Sequence, residues 1–191
     1  MLTSPALLWL ILAAPLAYLT LQYAQDIIYY GGYIHHTGRI SVWLLFLALL
    51  ITPLRLTFPR AAWTRWLMQR RRHFGVASFG YALAHVLAYV IRKEEIALML
   101  EEGAGAEYWT GWLAFAMFIA LSLTSNNASV RELGRNWRAL HRFVHAAALL
   151  TLAHWILTAF DPMTAYITLV ILIAIEAYRI AMKSRARNRA A

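Results

Sequence analysis

Apolar residues in this chain run in long blocks, and most charged residues fall in the gaps between them. Six blocks stand out: Ala6–Tyr23, Ile40–Leu56, Phe74–Ile91, Tyr108–Thr124, Phe143–Phe160 and Met163–Met182. Each runs for about 17–20 residues, the length a helix needs to cross a bilayer core. Peptide groups in hydrocarbon have no water to bond, so each block has to satisfy its own backbone and is read as a helix. The pattern predicts an all-α integral membrane protein, a bundle of six transmembrane helices. Its connections are Ala24–Arg39, Thr57–His73, Arg92–Glu107, Ser125–Arg142 and the near-hairpin Asp161–Pro162. One such block alone could be a buried core helix. Six in 191 residues leave too little polar chain for a soluble shell.

Composition agrees. The chain is 61% hydrophobic and 14% charged, with a mean hydropathy of +0.53, where soluble domains keep about a quarter of their residues charged. No Pro/Gly/Ser-rich linker, low-complexity tract or repeat divides it, so residues 1–191 are expected to form a single domain. No Lys or Arg precedes Ala6, so the first block is expected to be a retained span rather than a cleaved signal. Cysteine is absent, which excludes disulfides and thiolate metal sites.

The net charge of +9 matters less than where it sits. The connection after span two holds Arg55, Arg60, Arg65, Arg70, Arg71 and Arg72. The connection into span five holds Arg131, Arg135, Arg138 and Arg142, and the tail holds Arg179, Lys183, Arg185, Arg187 and Arg189. With six alternating spans, 15 of the 18 basic residues fall on one side. Seven of the nine acids fall on the other: Asp26, Glu94, Glu95, Glu101, Glu102, Glu107 and Asp161. The positive-inside rule then makes both termini cytoplasmic. Arginines flanking spans are explained by anchoring and contact with anionic lipid, so no nucleic-acid partner is expected.

Seven histidines are many for so apolar a chain: His35, His36, His73, His85, His141, His145 and His154. Ionisable groups at membrane depth are costly, so each is a functional candidate, against the plainer role of bonding a neighbouring carbonyl. His85 lies 12 residues beyond His73 in span three, and His154 lies 13 beyond His141 in span five. Both spans run outward, so His85 and His154 are expected to face each other in the outer half. Two neutral imidazoles on facing helices can hold a haem iron from both sides. His141 lies about 20 Å below His154 along an ideal helix, a separation that suits two stacked haems. The same spacing turns the two rings about 140° apart, so a shared path needs a bend. His73 is level with His141 and is its candidate partner, and His145, one turn above His141, is a candidate to support that ligand or substitute for it. A surface role is expected for His35 and His36. The chain has no H-E-x-x-H, P-loop or G-x-G-x-x-G, and Glu176 is the lone acid of the spans.

Three groups of residues carry a family resemblance: His35–Arg39 leading into Ile51–Leu54, then Arg71–Gly75 with Ala84 and His85. The third is Leu123–Ser125 with Leu133, Gly134, Trp137, Leu140–Arg142, His154 and Trp155. Together they resemble the haem-binding membrane subunits of bacterial methionine sulfoxide reductase systems, the MsrQ (YedZ) family. That family lies within the ferric-reductase-like transmembrane superfamily, which includes NADPH oxidases. The resemblance implies a bundle of the ferric-reductase-like type in the bacterial inner membrane, carrying haem b in one or two copies. It implies electrons taken from a cytoplasmic flavin reductase and passed to a periplasmic molybdopterin methionine sulfoxide reductase, for repair of oxidised proteins. It implies His85, His141 and His154 as axial ligands. Larger relatives carry a second span-three ligand 13 or 14 residues before the first, where this chain has Arg72 and Arg71, and His73 is one step off that register. FMN is a further cofactor the resemblance brings, with no signature of its own in these residues.

Arginines at the span ends, Arg39 on one side and Arg72, Arg138 or Arg142 on the other, are candidates to pair with haem propionates, or else interfacial anchors. Only nine residues follow Met182, so flavin and nicotinamide chemistry is expected to belong to a separate donor. The expectation is thus an electron-transfer subunit of an oxidoreductase system. Two other readings stay open: a di-haem cytochrome b serving quinone or ascorbate, and a non-redox assembly factor or small transporter.

Overall fold

The computed structural model describes residues 4–93 and 105–188. Within them lie α1 (Pro5–Ala24), α2 (Tyr30–Thr57), α3 (Ala62–Lys93), α4 (Ala106–Leu123), α5 (Asn127–Leu133), α6 (Arg135–His141), α7 (Val144–Thr158) and α8 (Met163–Asn188). No strand occurs among the described residues. Six stretches are long and apolar enough to cross a membrane: Pro5–Ala24, Tyr30–Thr57, Ala62–Lys93, Ala106–Leu123, Arg135–Thr158 and Met163–Met182. The chain is an all-α, multi-pass membrane protein. Of the expected charges, Glu94, Glu95, Glu101, Glu102 and Arg189 lie outside the described residues.

Two helices begin well before their apolar blocks. α2 starts at Tyr30 rather than Ile40, because contacts on its first turns hold a polar stretch helical. Thr37, fully buried, bonds the Tyr33 carbonyl at 2.8 Å, and Tyr33 stacks on Tyr23 and bonds Thr20 at 3.0 Å. α3 starts at Ala62 rather than Phe74. Its first turn is pinned by Thr64, whose buried hydroxyl lies 2.9 Å from the carbonyls of both Phe58 and Ala61. Hydropathy marks where a helix meets lipid, whereas backbone bonding and side-chain caps mark where it ends.

Two clusters of apolar side chains make the core. Leu8, Ala48, Ile51 and Phe74 join α1, α2 and α3. Val42, Leu45, Phe46, Leu49, Phe118, Leu121, Ala147, Ala148, Leu152 and Leu172 join α2, α4, α7 and α8. Lipid supplies no hydrophobic drive between helices, so close packing at small residues and interhelical hydrogen bonds do the work. Ala147 and Ala148 are fully buried. Ser41 and Ser78 bond each other's carbonyls at 2.9 and 2.8 Å, tying α2 to α3. Leu10, Ile11, Val170 and Ile173 face outward, as lipid-facing positions do.

Cross-chain contacts sort the connections into two ends. At one end Arg72 bonds Asn127 at 2.6 Å and Thr57 bonds Tyr178 at 2.8 Å. These tie the arginine-rich connections to the C-terminal half of α8. At the other end His85 meets the start of α2 and His154 meets the start of α4. The arginine-rich segments therefore share one end of the bundle.

Candidate functional site

His85 on α3 and His154 on α7 come together, their ring centroids 6.4 Å apart and their planes at 87°. Each ring is tethered through Nδ1 to a backbone carbonyl of a third and a fourth helix. His85 Nδ1 lies 2.9 Å from the Ile34 carbonyl and His154 Nδ1 lies 2.5 Å from the Glu107 carbonyl. A carbonyl only accepts, so in a neutral ring Nδ1 carries the proton and Nε2 keeps its lone pair. Neither Nε2 bonds any described residue. A ligating histidine has this arrangement, with the far nitrogen donating to a fixed acceptor and the near one ready for metal.

The spacing fits haem. Two metal–imidazole bonds of about 2 Å, with a ring radius added at each end, put the centroids about 6 Å apart. Among the described residues no three or more His, Asp or Glu side chains converge to hold a bare metal ion. Two axial nitrogens are what a porphyrin iron asks of the protein.

His141 is placed differently. It ends α6, stacked on Trp137 at 4.0 Å, with Nε2 3.0 Å from the Thr124 hydroxyl. Trp137 donates its indole N–H to the Thr124 carbonyl at 2.8 Å, and the Arg72 guanidinium lies 5.8 Å over that indole. Between His141 and His154 the helix breaks. Arg142, Phe143 and His145 donate their N–H groups to Ala139, Leu140 and Arg142, each three residues back. Three residues tightened by about 20° each bring the rotation expected between positions 141 and 154 from about 140° to about 80°. His73 faces α1, 5.2 Å from the ring of Trp9, and no ring contact joins it to His141. Its buried Nδ1 has no hydrogen-bond partner among the described residues. Arg39 is exposed, 3.4 Å from His35 Nε2, and His35 and His36 line an open cleft of about 510 Å³ with Tyr29 and Gly31. Arg72, Arg138 and Arg142 are exposed at the opposite end.

One group carries more than its sequence suggests. Glu176, within the last span, pairs through Oε2 with Arg179 Nη2 at 2.5 Å and Nε at 2.8 Å. Its Oε1 lies 3.0 Å from His145 Nδ1, in ion-pair range but off hydrogen-bond alignment. Arg71, which donates to the Ala48 carbonyl at 2.9 Å, feels the charges of both Glu176 and Arg179. The three-residue spacing of Glu176 and Arg179 in an apolar run is the sequence signal for this cluster. Its reach to His145 and Arg71 is set by helix packing.

Comparison with known proteins extends the picture. The family model for the ferric reductase like transmembrane component matches residues 37–152, a stretch that includes His85 and His141 and stops two residues short of His154. The haem-binding subunit MsrQ of protein-methionine-sulfoxide reductase from Enterobacter sp. (strain 638) is 34% identical over 153 residues, 78% of this chain and 72% of the relative. Its counterpart from Pectobacterium atrosepticum is 33% identical over 154 residues, 78% of this chain and 72% of that one. The Klebsiella pneumoniae counterpart is 33% identical over 154 residues, 78% of this chain and 71% of that one. No solved structure matches. A six-span bundle with histidines facing across α3 and α7, matched over most of its length, belongs to the ferric-reductase-like transmembrane family and, within it, to the MsrQ group.

Proposed function

We propose that this chain is a b-type haem subunit that carries electrons across the bacterial inner membrane to a methionine sulfoxide reductase. The observation that carries it is the His85–His154 pair, with both Nδ1 atoms tethered and neither Nε2 bonded to a described residue. Haem, when bound, supplies a one-electron carrier whose potential follows from its ligands, their hydrogen bonds and burial. His85 and His154 would hold the iron. The Ile34 and Glu107 carbonyls fix each ring's tautomer and strengthen it as a donor. Helices α2 and α4 meet the pair through the Ile34 and Glu107 carbonyls, so four helices surround it.

The remaining assignments rest on the resemblance and on placement. His141 would serve as the ligand of an inner site, with His73 or His145 as its partner, and Arg39 would pair with a propionate on the outer side. FMN is a second cofactor by resemblance. The arginine-rich end is cytoplasmic by the positive-inside rule, so both termini are cytoplasmic. The electron donor is a cytoplasmic flavin reductase, and the acceptor is a periplasmic molybdopterin enzyme that reduces methionine sulfoxide in oxidised proteins. The names of the relatives support the last step, since they are haem-binding subunits of protein-methionine-sulfoxide reductase.

The test is a visible spectrum of the purified protein with pyridine haemochrome quantitation, repeated for His85→Ala and His154→Ala. The wild type should show a low-spin b-type spectrum, and each variant should lose it while still inserting in the membrane. A colourless wild type, or two variants with wild-type haem content and spectrum, refutes the assignment.

A further inference from the structure

His85 and His154 are held by the same local device on two different helices. His85 bonds the carbonyl of Ile34, and the residue one turn on is Gly38. His154 bonds the carbonyl of Glu107, and the residue one turn on is Gly111. In a helix the carbonyl of residue i already accepts from the N–H of residue i+4. A ring that reaches the same oxygen from the side must lie alongside the α-carbon of residue i+4.

The space there admits hydrogen and little else. A β-carbon at Gly111 would lie 2.8 Å from His154 Nδ1, 2.9 Å from Cε1 and 3.2 Å from Cγ. One at Gly38 would lie 3.2 Å from His85 Nδ1 and 3.4 Å from Cε1. In both cases the nearest atom is the nitrogen that makes the carbonyl bond. Gly75 and Gly80, both on α3, have nothing within 4 Å of the same position. Glycine inside a helix is unfavourable in conformational entropy, so its place beside each ring calls for a reason.

We infer that Gly38 and Gly111 are positioning residues for the two axial histidines: the missing side chain lets each imidazole lie against its helix, donate Nδ1–H to the carbonyl one turn earlier and turn Nε2 inward. The inference rests on the haem assignment above. Its electronic consequence follows from the hydrogen bond. A ring that donates to a fixed carbonyl is the more basic ligand, which favours ferric over ferrous iron and lowers the midpoint potential. A methyl group at either glycine pushes the ring off its acceptor and weakens the ligand without removing it. The contacts are closer at Gly111, so that site is the more sensitive.

The experiment uses the full-length haem-loaded protein in nanodiscs, comparing wild type, Gly38→Ala, Gly111→Ala and Gly80→Ala. Readouts are haem content per protein, the low-spin electron paramagnetic resonance signal and the midpoint potential. Gly80→Ala should match wild type in all three. Gly38→Ala should keep its haem with shifted g values and a raised potential. Gly111→Ala should show a larger shift, or conversion of part of the signal to high spin. Should Gly111→Ala fail to insert, the milder Gly38→Ala still decides the matter. A coloured wild type whose Gly38→Ala variant keeps its g values and potential, or shifts no more than Gly80→Ala, overturns this inference and leaves the haem assignment standing. A colourless wild type overturns both.

Discussion

Replacing Glu176 by Gln tests whether the charged cluster near the arginine-rich end holds the bundle together. Glu176 is the counter-charge for Arg179, 2.5 Å away; the His145 ring lies 3.0 Å from its other oxygen, and Arg71 lies within its field. The Glu176 and Arg179 side chains are each 20% exposed, so solvent screens them weakly. Removing one partner of a buried pair costs about 3–5 kcal/mol, chiefly because the other charge is left without compensation. Partial exposure puts Glu176→Gln at the low end, about 3 kcal/mol, a change of roughly 150-fold in the folding equilibrium. The assay is reversible unfolding in mixed micelles, run as a double-mutant cycle with Arg179→Gln. The double variant should be less destabilised than the sum of the singles, with a coupling of about 1–3 kcal/mol. The low-spin signal of the His85–His154 pair should persist in all three variants, because those two rings lie at the other end and share no partner with Glu176. A Glu176→Gln variant within about 0.5 kcal/mol of wild type, the range of an ordinary surface change, would refute the account.

Two further outcomes follow from the inner end and from sidedness. His141→Ala should lower haem content or slow reduction from the arginine-rich side while sparing the low-spin signal of the His85–His154 pair; unchanged content and rate would remove His141 from the ligand set. His73→Ala, measured in parallel, reports whether that ring is its partner. An impermeant flavin donor with NADH should reduce haem in inside-out vesicles and not in right-side-out ones, at a rate that falls with ionic strength if the arginines steer docking; the opposite sidedness would reverse the topology.

The apolar blocks alone were enough for the number and order of the spans, since a bilayer sets the length of apolar chain needed to cross it. They were also enough to put His85 and His154 at matching depth, because rise per residue is a property of every helix. Helix ends were less legible. The first turns of α2 and α3 are polar, and they are helical because Thr37 and Thr64 find buried partners at a distance in the fold or across a turn. The sequence spacing of His141 and His154 posed a rotation that an ideal helix does not meet. The tightened turn at Arg142 and Phe143 supplies part of it.

What only the tertiary structure decided is which nitrogen of each histidine is committed. Ile34 and Glu107 are 51 and 47 residues from the rings they hold, and their side chains take no part, so no motif marks them. Gly38 and Gly111 likewise take their role from the helix lying against them, although Gly38 falls within the His35–Arg39 group. Sequence determines which residues can ligate and at what depth. Packing determines the tautomer and the direction of each ring, because a backbone carbonyl is present at every position and only proximity selects one.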